Sequence, residues 1–238
     1  MKTLDQSYEE PAMNLACDEI LLNEVDSNQR EATLRFWEPQ SPFVVIGYGN
    51  NIHSECLVES CRRNNIQILR RISGGGTVLQ ARGCLNYSLI LPINDEFGTK
   101  NINSTNCHIM KTHQMAFNKA LNNGVTIEGH TDLALDGLKF SGNAQKRTKN
   151  ALVFHGTFLL NLEIKLLDLS LKMPSLEPKY RKGRSHHNFC RNIPISISST
   201  KKLIKKTWKA QDIANPVDDK KIEELTITKY TQEKWIYR

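Results

Sequence analysis

Three consecutive glycines follow two arginines in Arg70-Arg71-Ile72-Ser73-Gly74-Gly75-Gly76-Thr77-Val78, between two apolar runs that read as strands, Ile66–Arg70 and Cys84–Leu91. Regular structure does not run through three glycines, because each gives up side-chain packing and loses the most conformational freedom on ordering. The segment therefore reads as a loop between strands, with unobstructed backbone N–H groups and access to positive φ. Such a loop suits an anion nest, and flanking arginines suit bidentate contacts to phosphate or carboxylate oxygens. A Walker loop is excluded, since no Gly-Lys-Ser/Thr follows. A dinucleotide fingerprint is excluded too, since a strand rather than a helix comes next. Taken alone, the segment also fits a plain glycine-rich turn.

The elements around the loop predict an α+β fold. Met13, Leu15, Ala16, Ile20, Leu21, Leu22 and Val25 recur at helical spacing, with Asp18, Glu19 and Glu24 on the other face. Thr33–Trp37 and Phe43–Gly47 read as strands separated by the proline-containing turn 38–42, together a hairpin. A short helix is expected over Glu55–Asn64 and a longer one from Ser104 or Thr105 to about Leu121. Val125–Ile127, Leu133–Leu135, Leu138–Gln145 and Leu152–Leu162 read as an antiparallel meander. A short helix, an irregular basic stretch over Lys179–Arg191 and helical signals at Ser199–Ala210 and Pro216–Leu225 complete the chain. The expectation is a single domain over residues 1–238, a mixed and largely antiparallel central sheet flanked by helices.

Composition removes several function classes. No apolar run approaches eighteen residues and the N-terminus lacks a cleavable apolar leader, so neither a membrane span nor a membrane partner is expected. The six cysteines form no CxxC pair and no Cys/His cluster at metal-ligand spacing, which predicts reduced thiols, a cytoplasmic location and no protein-held metal. Lys and Arg number 32 against 25 Asp and Glu, and Lys139–Arg191 alone holds eleven basic and three acidic residues. That stretch would attract nucleic acid, an acidic protein or a phosphorylated ligand, and charge alone does not choose among them.

Two further segments carry chemistry. In Asp132–Gln145, Asp136-Gly137 signals a tight turn, and Lys139 follows it on a strand rich in small residues (Ser141, Gly142, Ala144) where a ligand can approach the backbone. A lysine there can act as a point charge on a carboxylate and a phosphate together, or simply lie solvated on a sheet face. His155-Gly156-Thr157 interrupts an apolar strand, and His155 reads as structural or pocket-lining.

With the helix Met13-Asn14-Leu15-Ala16-Cys17-Asp18-Glu19 and the stretch from Phe36-Trp37 to Val45-Ile46-Gly47, these collinear motifs resemble the lipoate-protein ligase A family of the biotin/lipoate ligase superfamily, over about residues 10–195. The resemblance implies a fold like the catalytic domain of class II aminoacyl-tRNA synthetases and biotin ligases. It also implies ATP- and Mg²⁺-dependent activation of lipoate or octanoate to an acyl-adenylate, followed by transfer to a lysine of an apo lipoyl-carrier domain. The carriers implied are those of the 2-oxoacid dehydrogenase complexes or the glycine-cleavage H protein, which are commonly acidic. Carried over residue by residue, Lys139 would bridge the acyl carbonyl and the adenylate phosphate. Arg70, Arg71, Ser73, Gly74, Gly75, Gly76, Thr77, Val78, Leu79, Asp132, Ser141, Gly142, His155 and Gly156 would line the nucleotide and lipoate sites.

The sequence departs from the family pattern at Gly47-Tyr48-Gly49-Asn50-Asn51, where many relatives carry Gly-Arg-x-Gln-Asn. It also carries one histidine rather than two before Gly156, and His130-Thr131 before Asp132. The chain stops near where bacterial ligases begin an accessory domain, so a separate accessory polypeptide is an expected partner. Two alternatives stay open. One is an ATP-independent octanoyltransferase or lipoyl amidotransferase using a cysteine nucleophile, with Cys84, just past the loop, as the candidate. The other is a non-catalytic relative that binds carriers, or nucleic acid through Lys179–Arg184.

Overall fold

The computed structural model describes residues 1–238. After β1 (Lys2–Asp5), helix α1 (Pro11–Asp26) starts with Pro11, whose missing N–H costs nothing in a first turn. β2 (Thr33–Trp37) and β3 (Phe43–Ile46) follow, both buried throughout. Two short helices, α2 (Ile52–Glu55) and α3 (Val58–Arg63), replace the single one expected, because Cys56 between them is extended and bridges to Leu171. Next come β4 (Gln67–Arg70), β5 (Val78–Gln80) and β6 (Cys84–Pro92), then α4 (Ile102–Ala120), capped by the Asn101 side chain. The meander follows as expected: β7 (Val125–Glu128), β8 (Asp132–Leu135), β9 (Leu138–Arg147) and β10 (Ala151–Leu159). The remainder holds α5 (Lys165–Ser170), α6 (His186–Phe189), α7 (Ile197–Thr207), β11 (Asp212–Ile213), α8 (Asp219–Leu225) and α9 (Glu233–Ile236).

Eight strands form one mixed sheet in the order β11-β1-β2-β6-β10-β9-β8-β7, parallel across β11-β1-β2 and antiparallel beyond. A second sheet, β4-β3-β5, lies apart from it. The expected hairpin of β2 with β3 does not form. β2 pairs with β1 and β6 while β3 pairs with β4 and β5, so the turn 38–42 carries the chain from one sheet to the other. The missed strands β1 and β11 supply part of the reason: each is too short to show a period, yet β1 takes the edge of β2 that a hairpin partner would need.

One face of the large sheet packs on α4 through Phe117, Phe140, Phe154, Phe158 and Tyr87, and the other packs on α1 through Leu15, Leu22, Ile90 and Val153. Helix α1 is enclosed on two sides, by the sheet and by the C-terminal elements, so its polar residues do not face water as expected. Asp18 is buried, and Glu19 accepts from Lys229 Nζ at 2.7 and 2.8 Å and from Tyr230 Oη at 2.7 Å.

Arg35 of β2 fixes α1 to the sheet. Its guanidinium is fully buried and spends all five N–H groups: on Asp18 Oδ1 (2.6 Å), Asn14 O (2.8 Å), Asn14 Oδ1 (3.0 Å) and Gln6 O (3.3 and 3.0 Å). Truncating one member of such a pair leaves a buried charge uncompensated. Arg35→Ala is expected to lower the unfolding free energy by about 3–5 kcal/mol in urea titrations at pH 7; a loss below ~1 kcal/mol would show that the pair does not anchor α1.

Candidate functional site

Neighbouring strands of the large sheet build the floor of the site. On the face toward α1, Ser88 of β6 stands opposite His155 of β10, which stands opposite Ala144 of β9. Beside that row, Thr157 pairs with Gly142 and Asn86. Gln80, Asn86 and Thr157 close a ring of side-chain hydrogen bonds of 2.7, 2.9 and 2.5 Å that ties the start of β6 to β5.

Lys139 reaches this face because β9 carries a bulge. Leu133 pairs with Ser141 and Ala134 with Lys139, so Phe140 is the extra residue, and the shift places Lys139 over Gly142. A Cβ at Gly142 would lie 2.8 Å from both Cε and Nζ of Lys139, so the lysine tip lies directly over the glycine and a larger residue would shift it. Lys139 Nζ bonds Asp132 Oδ1 at 2.8 Å, and Tyr180 Oη donates to Asp132 Oδ2 at 2.8 Å. The basic stretch expected to be irregular thus packs along β9: Arg191 N bonds Lys139 O at 2.9 Å, and Cys190 bridges Lys139.

The triglycine loop forms the roof. Arg71 lies beneath it, buried, with Nη2 donating to Gly74 O at 2.6 Å and Gly76 O at 2.7 Å and Nε donating to Ser73 Oγ at 3.0 Å. No carboxylate faces this guanidinium, and burial pulls its pKa down to about 10. A buried cation satisfied by carbonyls alone favours an incoming anion. Gly75, at φ +87°, sits against Ala144, and a Cβ added at Gly74 or Gly76 would meet nothing within 4 Å, so their backbone is open to a ligand.

A polar line joins the loop to α1. Ser73 Oγ accepts from Arg71 Nε and shares a hydrogen bond of 2.6 Å with His155 Nε2. His155 Nδ1, on the other side of the ring, faces Asp18 Oδ2 at 3.8 Å. Asp18 Oδ2 also accepts from Ser88 Oγ at 2.7 Å. Burial lowers the His155 pKa to about 4, so the ring is neutral near pH 7.

The residues singled out from the sequence fall into two groups. Arg71, Ser73, Gly74, Gly75, Gly76 and His155 gather at one end of the cleft, and Lys139, Asp132 and Gly142 at the other, joined through the contact of Gly75 with Ala144. The others lie elsewhere. Arg70 gives its guanidinium to main-chain carbonyls: Gly47, Tyr48 and Asn50 at 2.9, 3.1 and 2.8 Å, and Trp235 and Ile236 at 3.1 and 2.7 Å. Thr77 meets the Asn50 amide at 3.5 Å, while Val78 and Leu79 begin β5 and pack into the core. Ser141 is buried beside Asn143 on the α4 side, and Gly156 leaves room for the Asn143 side chain there.

Cys84 does not border the cleft. It is wholly buried beneath the small sheet, with its thiol pushed up to about 12, and Cys190 is the cysteine beside Lys139. Sequence reading also missed Asp18, Ser88 and Tyr180 as site residues. Arg35, a charge inside an apolar strand, was the available signal that a buried carboxylate had to lie nearby.

A mixed sheet that carries a lysine–aspartate pair, with a triglycine loop seated on a buried arginine, defines a class of protein with a site receptive to anions. The particular family follows from comparison with known proteins: the lipoyl protein ligase A/B catalytic domain matches residues 10–220, and this chain belongs to that family. Lipoate–protein ligase 1 of Staphylococcus aureus is 28% identical, over 96% of this chain and 70% of its own length. Lipoate-protein ligase LplJ of Bacillus subtilis is 31% identical, over 71% of this chain and 48% of its own length, so this chain spans about half of that relative. The octanoyltransferase LipM of Oceanobacillus iheyensis is 23% identical, over 98% and 89%. Among solved structures, a lipoate-protein ligase A bound with ATP superposes with a TM-score of 0.81 at 21% identity, covering 99% of this chain and 98% of that one. A bipartite lipoate protein ligase from Thermoplasma acidophilum, studied with its E2 lipoyl domain, gives 0.79 at 21%, covering 99% and 95%. The fold expected from the resemblance is therefore the observed one.

Two outcomes test this geometry. A Cβ at Gly47 would lie 2.1 Å from Gly75 O, so Gly47→Ala is expected to displace the loop, which a melting temperature lowered by about a few degrees in a thermal scan would register. The second concerns pH. His155 and His113 stay neutral in the fold down to about 4 and about 3 because burial opposes their charging. The unfolded chain protonates both below about 6.5, so unfolding free energy should be flat above that pH and fall as pH drops toward 4, by up to ~1.4 kcal/mol per unit for each ring. His155→Gln should flatten the slope; an unchanged slope in that variant would show His155 to be charged in the fold.

Proposed function

We propose that this protein activates lipoate, or the shorter octanoate, with ATP and passes the acyl group to a lysine of an apo lipoyl-carrier domain. The observation that carries the reading is the seating of Lys139, over Gly142, on the same face as the open triglycine loop with the buried Arg71 beneath it. Forming an acyl-adenylate needs no protein nucleophile. It needs two anions held together and the developing phosphorane charge offset.

In the first step a carboxylate oxygen bonds to the α-phosphorus while the bond from that phosphorus to its bridging oxygen breaks, and pyrophosphate leaves with the electron pair. Lys139 Nζ, drawn from Asp132 toward the incoming anions, would hold the carboxylate and α-phosphate; Arg71 and the loop N–H groups would take the other side. In the second step the carrier amine adds to the acyl carbonyl carbon, AMP departs with the carbon–oxygen bonding pair, and the amine loses a proton.

No cluster of three or more His, Cys, Asp or Glu side chains is placed to hold a metal by itself. Mg²⁺ requires only one or two carboxylates beside substrate phosphates, and Asp132 fits that need. When bound with ATP, the ion would neutralise phosphate charge. The lipoate ligase solved with ATP and the archaeal ligase studied with its lipoyl domain support both the nucleotide and the class of partner. The net basic stretch Lys139–Arg191 supports an acidic carrier.

Cys190 beside Lys139 and the likeness to LipM octanoyltransferases favour a second reading, acyl transfer through a thioester on Cys190 with no ATP. Burial, which pushes this thiol above its ordinary range, weighs against it, since the thiolate is the nucleophile.

Lipoate-dependent exchange of label between pyrophosphate and ATP separates the readings. The ligase predicts exchange in the wild type and in Cys190→Ser, and a loss of at least ~10²-fold in Lys139→Ala with an unchanged melting curve. No exchange in the wild type, with acyl transfer abolished in Cys190→Ser, would overturn it.

A further inference from the structure

Beside the triglycine loop lies a second cluster of charge that the reaction as described leaves unused. Tyr48, 40% exposed, is the most open aromatic of the loop that follows β3. The Arg238 guanidinium stacks on its ring with Cζ 3.9 Å from the centroid, and Lys146 Nζ lies 5.6 Å from the same centroid. The two cations are thus within about 10 Å of each other, no farther than a Debye length at moderate salt. Neither makes a salt bridge. Lys229, the third cation here at 4.2 Å over Trp235, is already paired with Glu19.

The arrangement is built rather than incidental. Arg70 donates to the carbonyls of Gly47, Tyr48 and Asn50 on one side and of Trp235 and Ile236 on the other, and Trp235 Nε1 donates back to Arg70 O at 2.9 Å. One buried side chain therefore locks the Tyr48 loop to the turn that carries Arg238. The same loop is fastened to the triglycine segment by Tyr48 N to Ser73 O at 2.9 Å and Asn50 Nδ2 to Gly75 O at 3.1 Å. Lys146 arrives from β9, two residues beyond the Ala144 that touches Gly75. The hydrogen bond and charge of Arg238, with the charge of Lys146, hold the Tyr48 phenol below its ordinary range, which marks the potential there as positive.

Resting on the adenylating reading above, we infer that Tyr48, Arg238 and Lys146 seat the β- and γ-phosphates of ATP and the pyrophosphate that departs from it. Beyond its hydrogen bond to the Tyr48 phenol, the Arg238 guanidinium keeps N–H groups for phosphate oxygens, and the Lys146 ammonium adds a point charge beside it. Contiguity with the open backbone of Gly49, Gly74 and Gly76 favours a compact polyphosphate over the spread carboxylates of an acidic protein.

The test uses the full chain with Arg238→Ala and Lys146→Ala. In each, KM for ATP and the inhibition constant for pyrophosphate should rise about tenfold. Acyl transfer from preformed lipoyl-adenylate to an apo lipoyl domain should stay within about twofold, because no distal phosphate takes part. Arg238→Lys should recover only part of the loss, and melting temperatures should stay close to wild type. Unchanged ATP and pyrophosphate constants in both variants would overturn the inference, as would an equal loss in both half-reactions. A raised KM for the carrier with ATP unchanged would overturn it in favour of an acidic protein contact. Calorimetry with pyrophosphate alone separates this seat from the ligase reading. Binding by wild type but not by Arg238→Ala upholds the seat even if no adenylate forms, and no binding by wild type removes it.

Discussion

The carboxylate of Asp18 is the fixed point from which the site is built. One oxygen takes the buried Arg35 guanidinium and the other takes Ser88 and faces His155, so a single side chain joins α1, two strands of the large sheet and the strand that carries the histidine. His155 then shares a hydrogen bond with Ser73, Ser73 accepts from Arg71, and Arg71 donates to the carbonyls of Gly74 and Gly76. A loop of three glycines has little conformational preference of its own. Its shape here is imposed from below by a line of hydrogen bonds that ends on a helix of the core.

Three arginines show how burial divides labour among identical side chains. Arg35 has a carboxylate among the four atoms that accept its five hydrogen bonds, and so belongs to the architecture. Arg70 has carbonyls from two distant segments and works as a staple. Arg71 has acceptors but no counter-charge, and it lies directly under the open loop. Only Arg71 joins a missing counter-charge to a place under the open loop, where an anionic substrate would meet it.

The sequence made the sheet strands of the meander, the triglycine loop, Lys139 and His155 visible, because period, turn chemistry and glycine content are local properties. What it hid is non-local. The split of β2 and β3 between two sheets depends on β1, four residues too few to show a period. Asp18 looks like one more surface acid on an amphipathic helix until the sheet closes on it through Arg35 and Ser88. The exchange of Cys84 for Cys190 follows from the fold, since proximity in sequence to the loop does not place a thiol beside Lys139. Arg70 and Arg71 are adjacent in sequence, yet Arg70 turns to the carbonyls of Gly47 and Ile236 while Arg71 turns under the loop to those of Gly74 and Gly76, a division that adjacency hides.

Adenylation requires that free acid and ATP, rather than an acyl thioester, supply the acyl group. Intact mass of an apo lipoyl domain after incubation with this protein tests it directly, in one arm with lipoate, ATP and Mg²⁺ and in the other with octanoyl-acyl carrier protein alone. The account predicts a lipoyl mass increment only in the first arm, lost when ATP is withheld. An octanoyl increment in the second arm together with none in the first would contradict it.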